Sequence, residues 1–342
     1  MPEEASSHLR PHPGVAASLV RAQLVAATHI DLSSLARAAD CPDPYAIDPA
    51  QRIPIDAFAR LIRGAWDAMG CEAAGFTERP IPPGVFAMMC HASITCPNLR
   101  RALLRGARFY ALVQDELRFD LVERGDEAQF HIHHANRRGL DDRGLIESLM
   151  VLWLRWSSWL VGREVLPDRI LFAYAQGDYA DEYPRMFPCD HYFSANTSCV
   201  VFPTRYLELP VARSSGELGA FLDSAPESLM RRYIENPSLS SQVRHLMRRR
   251  DDFTGISLEE VAAALNMSSQ TLRRRLRDEG NGFQEIKDAV RKDSAVQQLL
   301  GSDRPINEIA EVLGFSEPSA FHRAFKKWTG STPGAYRDNA SG

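Results

Sequence analysis

SLEEVAAALNMSSQTLRRRLRDEG, from Ser257 to Gly280, and INEIAEVLGFSEPSAFHRAFKKWTG, from Ile306 to Gly330, carry one pattern written twice. Val261 and Ala262 of the first stretch align with Ile309 and Ala310 of the second. Leu265, Asn266, Met267 and Ser268 align with Leu313, Gly314, Phe315 and Ser316. Leu272 and Leu276 align with Phe321 and Phe325, the second stretch carrying one extra residue just after its turn. Each copy predicts a helix, a sharp turn and a second helix. Ser257 with Glu260 three residues on forms a capping-box signature, and Leu258, Val261, Ala262 and Leu265 give one apolar helical face. Asn266 and Gly314 are residue types that tolerate the positive φ of a tight turn. Ser268 and Ser316 are the expected N-caps of the second helices. Pro318 falls in the first turn of its helix, where a missing N–H costs little. The i,i+4 pairs Leu272/Leu276 and Phe321/Phe325 pin each second helix on its own first helix.

The opposite faces of the second helices are left exposed. They carry Gln270, Arg273, Arg274 and Arg277 in one copy, and Ser319, His322, Arg323 and Lys326 in the other. A run such as RRRLR is most often a solvated helix face. Two copies with matched turns and caps point instead to DNA, because one such motif enters a major groove and a tandem pair reads successive grooves. Between the copies, Phe283 to Leu300 is helical in pattern and free of Gly and Pro. At 1.5 Å per residue it spans about 27 Å, near the ~34 Å between adjacent major grooves on one face of a duplex. Ile286, Ala289, Val290, Val296 and Leu300 give it a broken apolar stripe. The expectation is a spacer docked against both motifs.

From about Thr254 to Arg337 the chain resembles the arabinose-regulator (AraC/XylS) family of bacterial transcription factors. The run GFSEPSAFHRAFKKWTGSTPGAYR is the most specific match, and FQEIKDAVRKDSAVQQLL is similar to the family's linker helix, with Arg291 and Ala295 at the usual positions. Asn266 replaces the commoner Gly and Leu276 the commoner Phe. The resemblance implies base-facing positions at Gln270, Arg273 and Arg274, then Ser319, His322 and Arg323. Ser269, Arg277, Arg291, Pro318, Lys326 and Lys327 complete the expected DNA-contacting set, although Pro318 stands where the family often has a polar reader.

Length and composition set the frame. The chain has 342 residues, 44% apolar and 25% charged, with 40 Lys and Arg against 44 Asp and Glu. That is an ordinary globular balance with room for two or three domains. From Met230 onward 18 basic residues stand against 15 acidic ones, leaving 22 against 29 before it. An acidic sensing part joined to a basic DNA-binding part is expected. No apolar run reaches the ~18 residues of a membrane span, and MPEEASSHLRPHPG lacks the pattern of a secretory signal. A cytoplasmic protein is expected, nucleoid-associated when bound to DNA. Cys41, Cys71, Cys90, Cys96, Cys189 and Cys199 form no CxxC pair, so buried reduced thiols are the default.

The first two thirds mixes patterns. Val15 to Ala39 predicts two short helices, Ile55 to Met69 a third, Asn98 to Val113 a fourth and Asp142 to Val161 a long apolar core helix. Leu117 to Glu123 and Gln129 to His134 alternate around RGDEA and predict a hairpin. Arg169 to Tyr174 and Ser198 to Phe202 are strand candidates, and Glu217 to Glu235 is the expected last helix. The expected architecture is an α+β effector-sensing and dimerisation domain over 1–235. An all-α DNA-binding domain follows over 236–342, with motifs at 257–280 and 305–330 and a linker helix at 283–300. The β-rich cupin-like sensor of the superfamily fits poorly. Val165 to Leu222, through VLPDRILFAY and YPRMFPCDHYFSANTSCVVFPTRYLELPV, resembles the arabinose-binding-like effector domain of ornithine and virulence regulators. The resemblance does not imply arabinose.

Candidate chemistry is sparse. His131 and His133 in HIHH share one face of a strand, where a polar sheet surface is expected over a metal pair. Cys189 to His191 is expected to form the turn before a strand. No nucleophile elbow or phosphate loop is present, so neither an enzyme nor a cofactor is expected. Phe86 to Met89, Phe109, Tyr110 and Trp153/Trp156/Trp159 are candidates to line an apolar pocket. Arg100, Arg101, Arg105 and Arg108 nearby suggest a small organic or fatty acid as the effector. Ser224 to Gly255 reads as an exposed coupling joint. The expected function is an effector-controlled transcription activator that binds double-stranded promoter DNA and RNA polymerase as a homodimer. The alternatives are a constitutive regulator without ligand, or an enzyme fused to a DNA-binding module.

Overall fold

The computed structural model describes residues 14–225, 227, 229, 239–248, 253 and 255–340. The helices of the first core are α1 (Ala17–Leu24), α2 (Leu32–Ala38), α3 (Ile55–Met69), α4 (Val85–Ser93), α5 (Leu99–Val113), α6 (Arg143–Leu160), α7 (Tyr183–Met186) and α8 (Ser215–Ser224). Its strands are β1 (Val15–Ala16), β2 (Arg52–Ile53), β3 (Leu117–Arg124), β4 (Glu127–His134), β5 (Arg169–Leu171), β6 (Asp190–Tyr192) and β7 (Ser198–Pro203). The second core is built from α9 (Leu239–Arg248), α10 (Leu258–Ala264), α11 (Ser269–Asp278), α12 (Phe283–Gly301), α13 (Ile306–Val312), α14 (Pro318–Thr329) and α15 (Pro333–Ala340).

The expected hairpin is present. β3 and β4 pair antiparallel, with Leu117 opposite His134 and Phe119 opposite Ile132, and Gly125 takes φ 62° in the turn. The pair is one end of a five-stranded sheet of order β3-β4-β7-β5-β6, antiparallel except for the parallel pair β5–β6. Alternation puts Phe119, Phe130 and Ile132 on one buried face. The Trp153 ring of α6 lies 5.1 Å from Phe119 and 4.8 Å from Phe130. β7 is buried from Ser198 to Phe202, as its continuous apolar run requires of a central strand. A second antiparallel pair, β1 with β2, brings Val15 opposite Ile53.

Some expectations are corrected. Asp190 and His191 lie within strand β6 and do not form a turn ahead of a strand. α8 ends at Ser224 because the chain is extended at Ala225 (φ −74°, ψ 146°); the remainder of the expected helix to Glu235, and the expected domain boundary, lie largely outside the described residues. The helix α4 follows directly on the Pro-rich break at Pro80 to Gly84. Its start is fixed from outside, by Glu72, whose carboxylate accepts from the Gly84 and Phe86 N–H groups at 2.6 and 2.9 Å.

Inside the first core, the Glu147 carboxylate is wholly buried. The hydroxyls of Tyr174, Tyr179 and Tyr183 donate to it at 2.9, 3.1 and 2.7 Å. Burial pushes its pKa up to about 7 even though the three phenols favour the charged form. The six cysteines are buried and none is in a disulfide.

Candidate nucleic-acid interface

Both motifs fold by the turn chemistry written in them, and the first by its capping residues as well. The Ser257 hydroxyl accepts from the Glu260 N–H at 3.1 Å, and the Ser268 hydroxyl from the Thr271 N–H at 3.2 Å. Asn266 and Gly314 take φ 54° and 70° at the two turns. The N-cap of α14 is Glu317, not Ser316, and makes no side-chain capping bond. The extra residue after this turn moves the helix start by one, and Pro318 becomes its first residue. Leu272 and Leu276 are buried on one helix, Phe321 and Phe325 on the other.

The outer faces follow. Gln270, Arg273, Arg274 and Arg277 are exposed on α11, with Ser269 half-buried at its start. On α14, Ser319, Arg323, Lys326 and Lys327 are exposed, and Pro318 and His322 are half-buried. Arg291 is placed differently from the rest of the expected set. Its Nη2 donates to the Gly314 carbonyl at 3.0 Å, and its guanidinium lies 4.8 Å from the centroid of the Phe315 ring. It clamps the turn of the second motif to α12. No side chain fits between: a Cβ on Gly314 would lie 2.7 Å from the Phe253 carbonyl oxygen and 3.0 Å from Arg291 Nη2.

The linker helix also departs from expectation. α12 packs on α13, α14 and α15, whereas its link to the first motif runs mainly through α9, which packs on both α11 and α12. A direct tie is Lys287 Nζ, which donates to the Ile256 carbonyl at 2.5 Å. The buried stripe is Ile286, Val290, Ala295 and Leu299. α9 lies within the segment expected to be an exposed joint, yet Val243, Arg244 and Met247 are buried. Glu279, at the end of α11, caps it by accepting from the Leu239 and Ser240 N–H groups, both at 2.8 Å.

This helical domain is tied to the sheet through charge. Arg244 of α9 donates to Asp168 at 2.9 Å. Arg169 holds Glu127 with two bonds of 3.0 and 2.8 Å. Lys292 of α12 sits 2.8 Å from Glu127 and 3.3 Å from Asp126, while its neighbour Asp293 lies 3.6 Å from Arg169. The Tyr206 hydroxyl donates to Asn281 at 3.3 Å. Burial pushes the Glu127 carboxyl up, but Arg169 and Lys292 outweigh it and hold the pKa at about 2.

The other candidates carry less. His131 and His133 stack at 6.0 Å between ring centroids. His131 faces Thr197 at 3.3 Å, and His133 lies 3.1 Å from Asp120. Among the described residues no group of His, Cys, Asp and Glu is arranged to hold a metal ion. No helix is long and apolar enough to cross a membrane among the described residues. Phe86 and Tyr110 do line a cavity, but Trp153 and Trp156 are buried in the core. Arg100 is spent on Glu123 and Glu208, and Arg105 on Ala92 and Thr95. None of the four arginines expected to receive an acid borders that cavity.

Two helix-turn-helix units with basic outer faces, docked on an α+β domain that holds a cavity, define a DNA-binding transcriptional regulator with a ligand-binding domain. The family described as the arabinose-binding domain of AraC transcription regulators matches residues 30–211, and a helix-turn-helix domain family matches residues 261–339. The chain belongs to this family of AraC-type regulators. It is 28% identical over 298 residues to the ornithine utilization regulator of Pseudomonas aeruginosa, a match covering 86% of this chain and 87% of that one. The regulator VqsM of the same organism is 41% identical over 83 residues, 24% of this chain and 26% of that protein. Among solved structures, the transcriptional regulator CdpR from Pseudomonas aeruginosa is similar at 22% identity over 75% of this chain and 82% of that one, with a TM-score of 0.31. These relatives are transcriptional regulators, not enzymes.

Proposed function

We propose that the chain is an effector-controlled transcription activator that reads promoter DNA through α11 and α14. Base contacts are assigned to Gln270, Arg273 and Arg274 of the first helix and to Ser319, His322 and Arg323 of the second. Ser269, Arg277, Pro318, Lys326 and Lys327 lie beside the phosphates. The observation that carries this reading is the exposure of Arg273, Arg274 and Arg323 on helices whose opposite faces are buried. Activation, through a contact with RNA polymerase, carries over from the family resemblance of the C-terminal part. So does a homodimer, which would add avidity on repeated half-sites. The protein would act in the cytoplasm, at the nucleoid. The test is a genomic binding selection with the full chain, followed by footprinting and transcription in vitro. Two adjacent major-groove footprints, affinity that falls steeply with salt and raised transcript are expected. Salt-insensitive binding without sequence preference would overturn the reading.

A further inference from the structure

A cavity of about 420 Å³ opens in the first core between α3, α4, α5, α6 and α8, within the range of small-molecule sites. Its walls are largely apolar, with Ile81, Leu145, Leu149 and Leu152 among them and the rings of Trp66 and Phe86 at its sides. The polar groups on the wall are few. Glu72 is fixed by the Gly84 and Phe86 N–H groups, one to each carboxylate oxygen. Each oxygen has a second lone-pair direction left for another donor. Tyr110 is 4% exposed and lines the cavity. Burial pushes the Tyr110 phenol up, and the nearby charge of Glu72 adds to the effect. Asp223 of α8 supplies a second carboxylate. Arg63 is the cationic side chain on the wall among the described residues, and it donates to the Ala225 carbonyl.

We propose that this cavity is the effector site and that its ligand is a small amine, with an apolar body among the leucines and an ammonium head on Glu72 and Tyr110. The inference rests on the reading of the chain as an effector-controlled regulator and gives that effector a chemical class. An ammonium supplies the donors that Glu72 lacks and that a carboxylate cannot. Trp66 and Phe86 on the wall offer aromatic rings that a cation can use. An acid would meet two carboxylates and one arginine already in use. Leu222, Asp223 and Ala225 place the end of α8 on the wall, so a bound ligand touches the stretch of chain that leads toward the DNA-binding domain.

The test uses the full chain with three probes of matched body: 2-phenylethylamine, 2-phenylethanol and 3-phenylpropionate. Calorimetry should show the amine binding tightest and the acid weakest. Glu72→Gln should weaken the amine about tenfold or more while leaving the alcohol nearly unchanged, as expected for a lost charge-assisted bond. Ala87→Trp, which would fill the cavity from α4, should abolish binding of both. Should Glu72→Gln fail to fold, Tyr110→Phe serves in its place, with a smaller loss confined to the amine. Acid binding as tight as amine, or amine binding that survives Ala87→Trp, would overturn the proposal. Promoter binding is measured in parallel. Intact DNA binding without amine binding sinks this inference alone, and absent DNA binding sinks the functional reading.

Discussion

Arg244 Nη1 lies 2.9 Å from Asp168 Oδ1, with 1% and 7% of the two residues exposed, although one belongs to the helical domain and the other to the sheet domain. Two charges taken out of water hold each other in place, and removing one strands the other. Asp168→Ala is expected to destabilise the junction by about 3 kcal/mol. Urea unfolding should then separate into two transitions, the helical domain melting independently. Replacing both residues with apolar ones of similar size should recover much of the loss. A single unshifted transition in Asp168→Ala would show that the pair contributes little.

The arginines of the helical domain divide into two kinds. Arg273→Ala and Arg323→Ala should each cost about 1–3 kcal/mol in promoter binding and relax preference at one base position, with unfolding unchanged. Arg291→Ala should do the reverse. It removes the bond to Gly314 and the contact with Phe315, so it lowers stability while preference among sequences is kept. Binding selections paired with thermal melts separate the two behaviours.

Glu147 predicts a pH dependence of unusual sign for a carboxylate. Its folded pKa is about 7, above the ordinary value near 4.3. The neutral acid is favoured in the fold, so its contribution is complete below the unfolded value and is lost as pH rises through about 7. The span is roughly 3–4 kcal/mol. Arg143 and the phenols of Tyr174, Tyr179 and Tyr183 face this group and moderate the loss. Denaturation at several pH values should show the decline, and Glu147→Gln should flatten it.

At the acid end Glu127 works the other way. With its pKa held at about 2, it adds stability above the unfolded value near 4.3 that fades as pH falls toward 2. The bonds at stake join Arg169 and Lys292 across the two domains. Acid should therefore loosen the junction before it melts the helical core. Scattering or protease sensitivity near pH 3 checks this, with Glu127→Gln expected to show the loosened state at neutral pH.

Much of the helical domain is legible in the sequence, because caps, turn residues and i,i+4 pairs act locally. Ser257, Ser268, Asn266 and Gly314 do what their chemistry suggests. The role of Arg291 is not legible, since a basic residue on a helix reads alike whether it meets phosphate or a carbonyl. Nor is α4, whose start depends on Glu72 twelve residues before Gly84. The ion pairs between the domains join residues as distant as Asp126 and Lys292, and no local pattern announces them. The cavity is half legible. Composition marks Phe86 and Tyr110 as candidates for its wall, but nothing local marks Glu72, and the arginines nearby suggest a role they do not take.

The two turns also differ in how much change they tolerate. Asn266 is exposed at the first turn, and glycine there would keep the same backbone. Gly314 is enclosed by Phe253 and Arg291, and any larger residue must displace backbone. A duplicated unit normally leaves either copy free to drift. Here the second copy is anchored at its turn, so an exchange that Asn266 accepts is closed to Gly314.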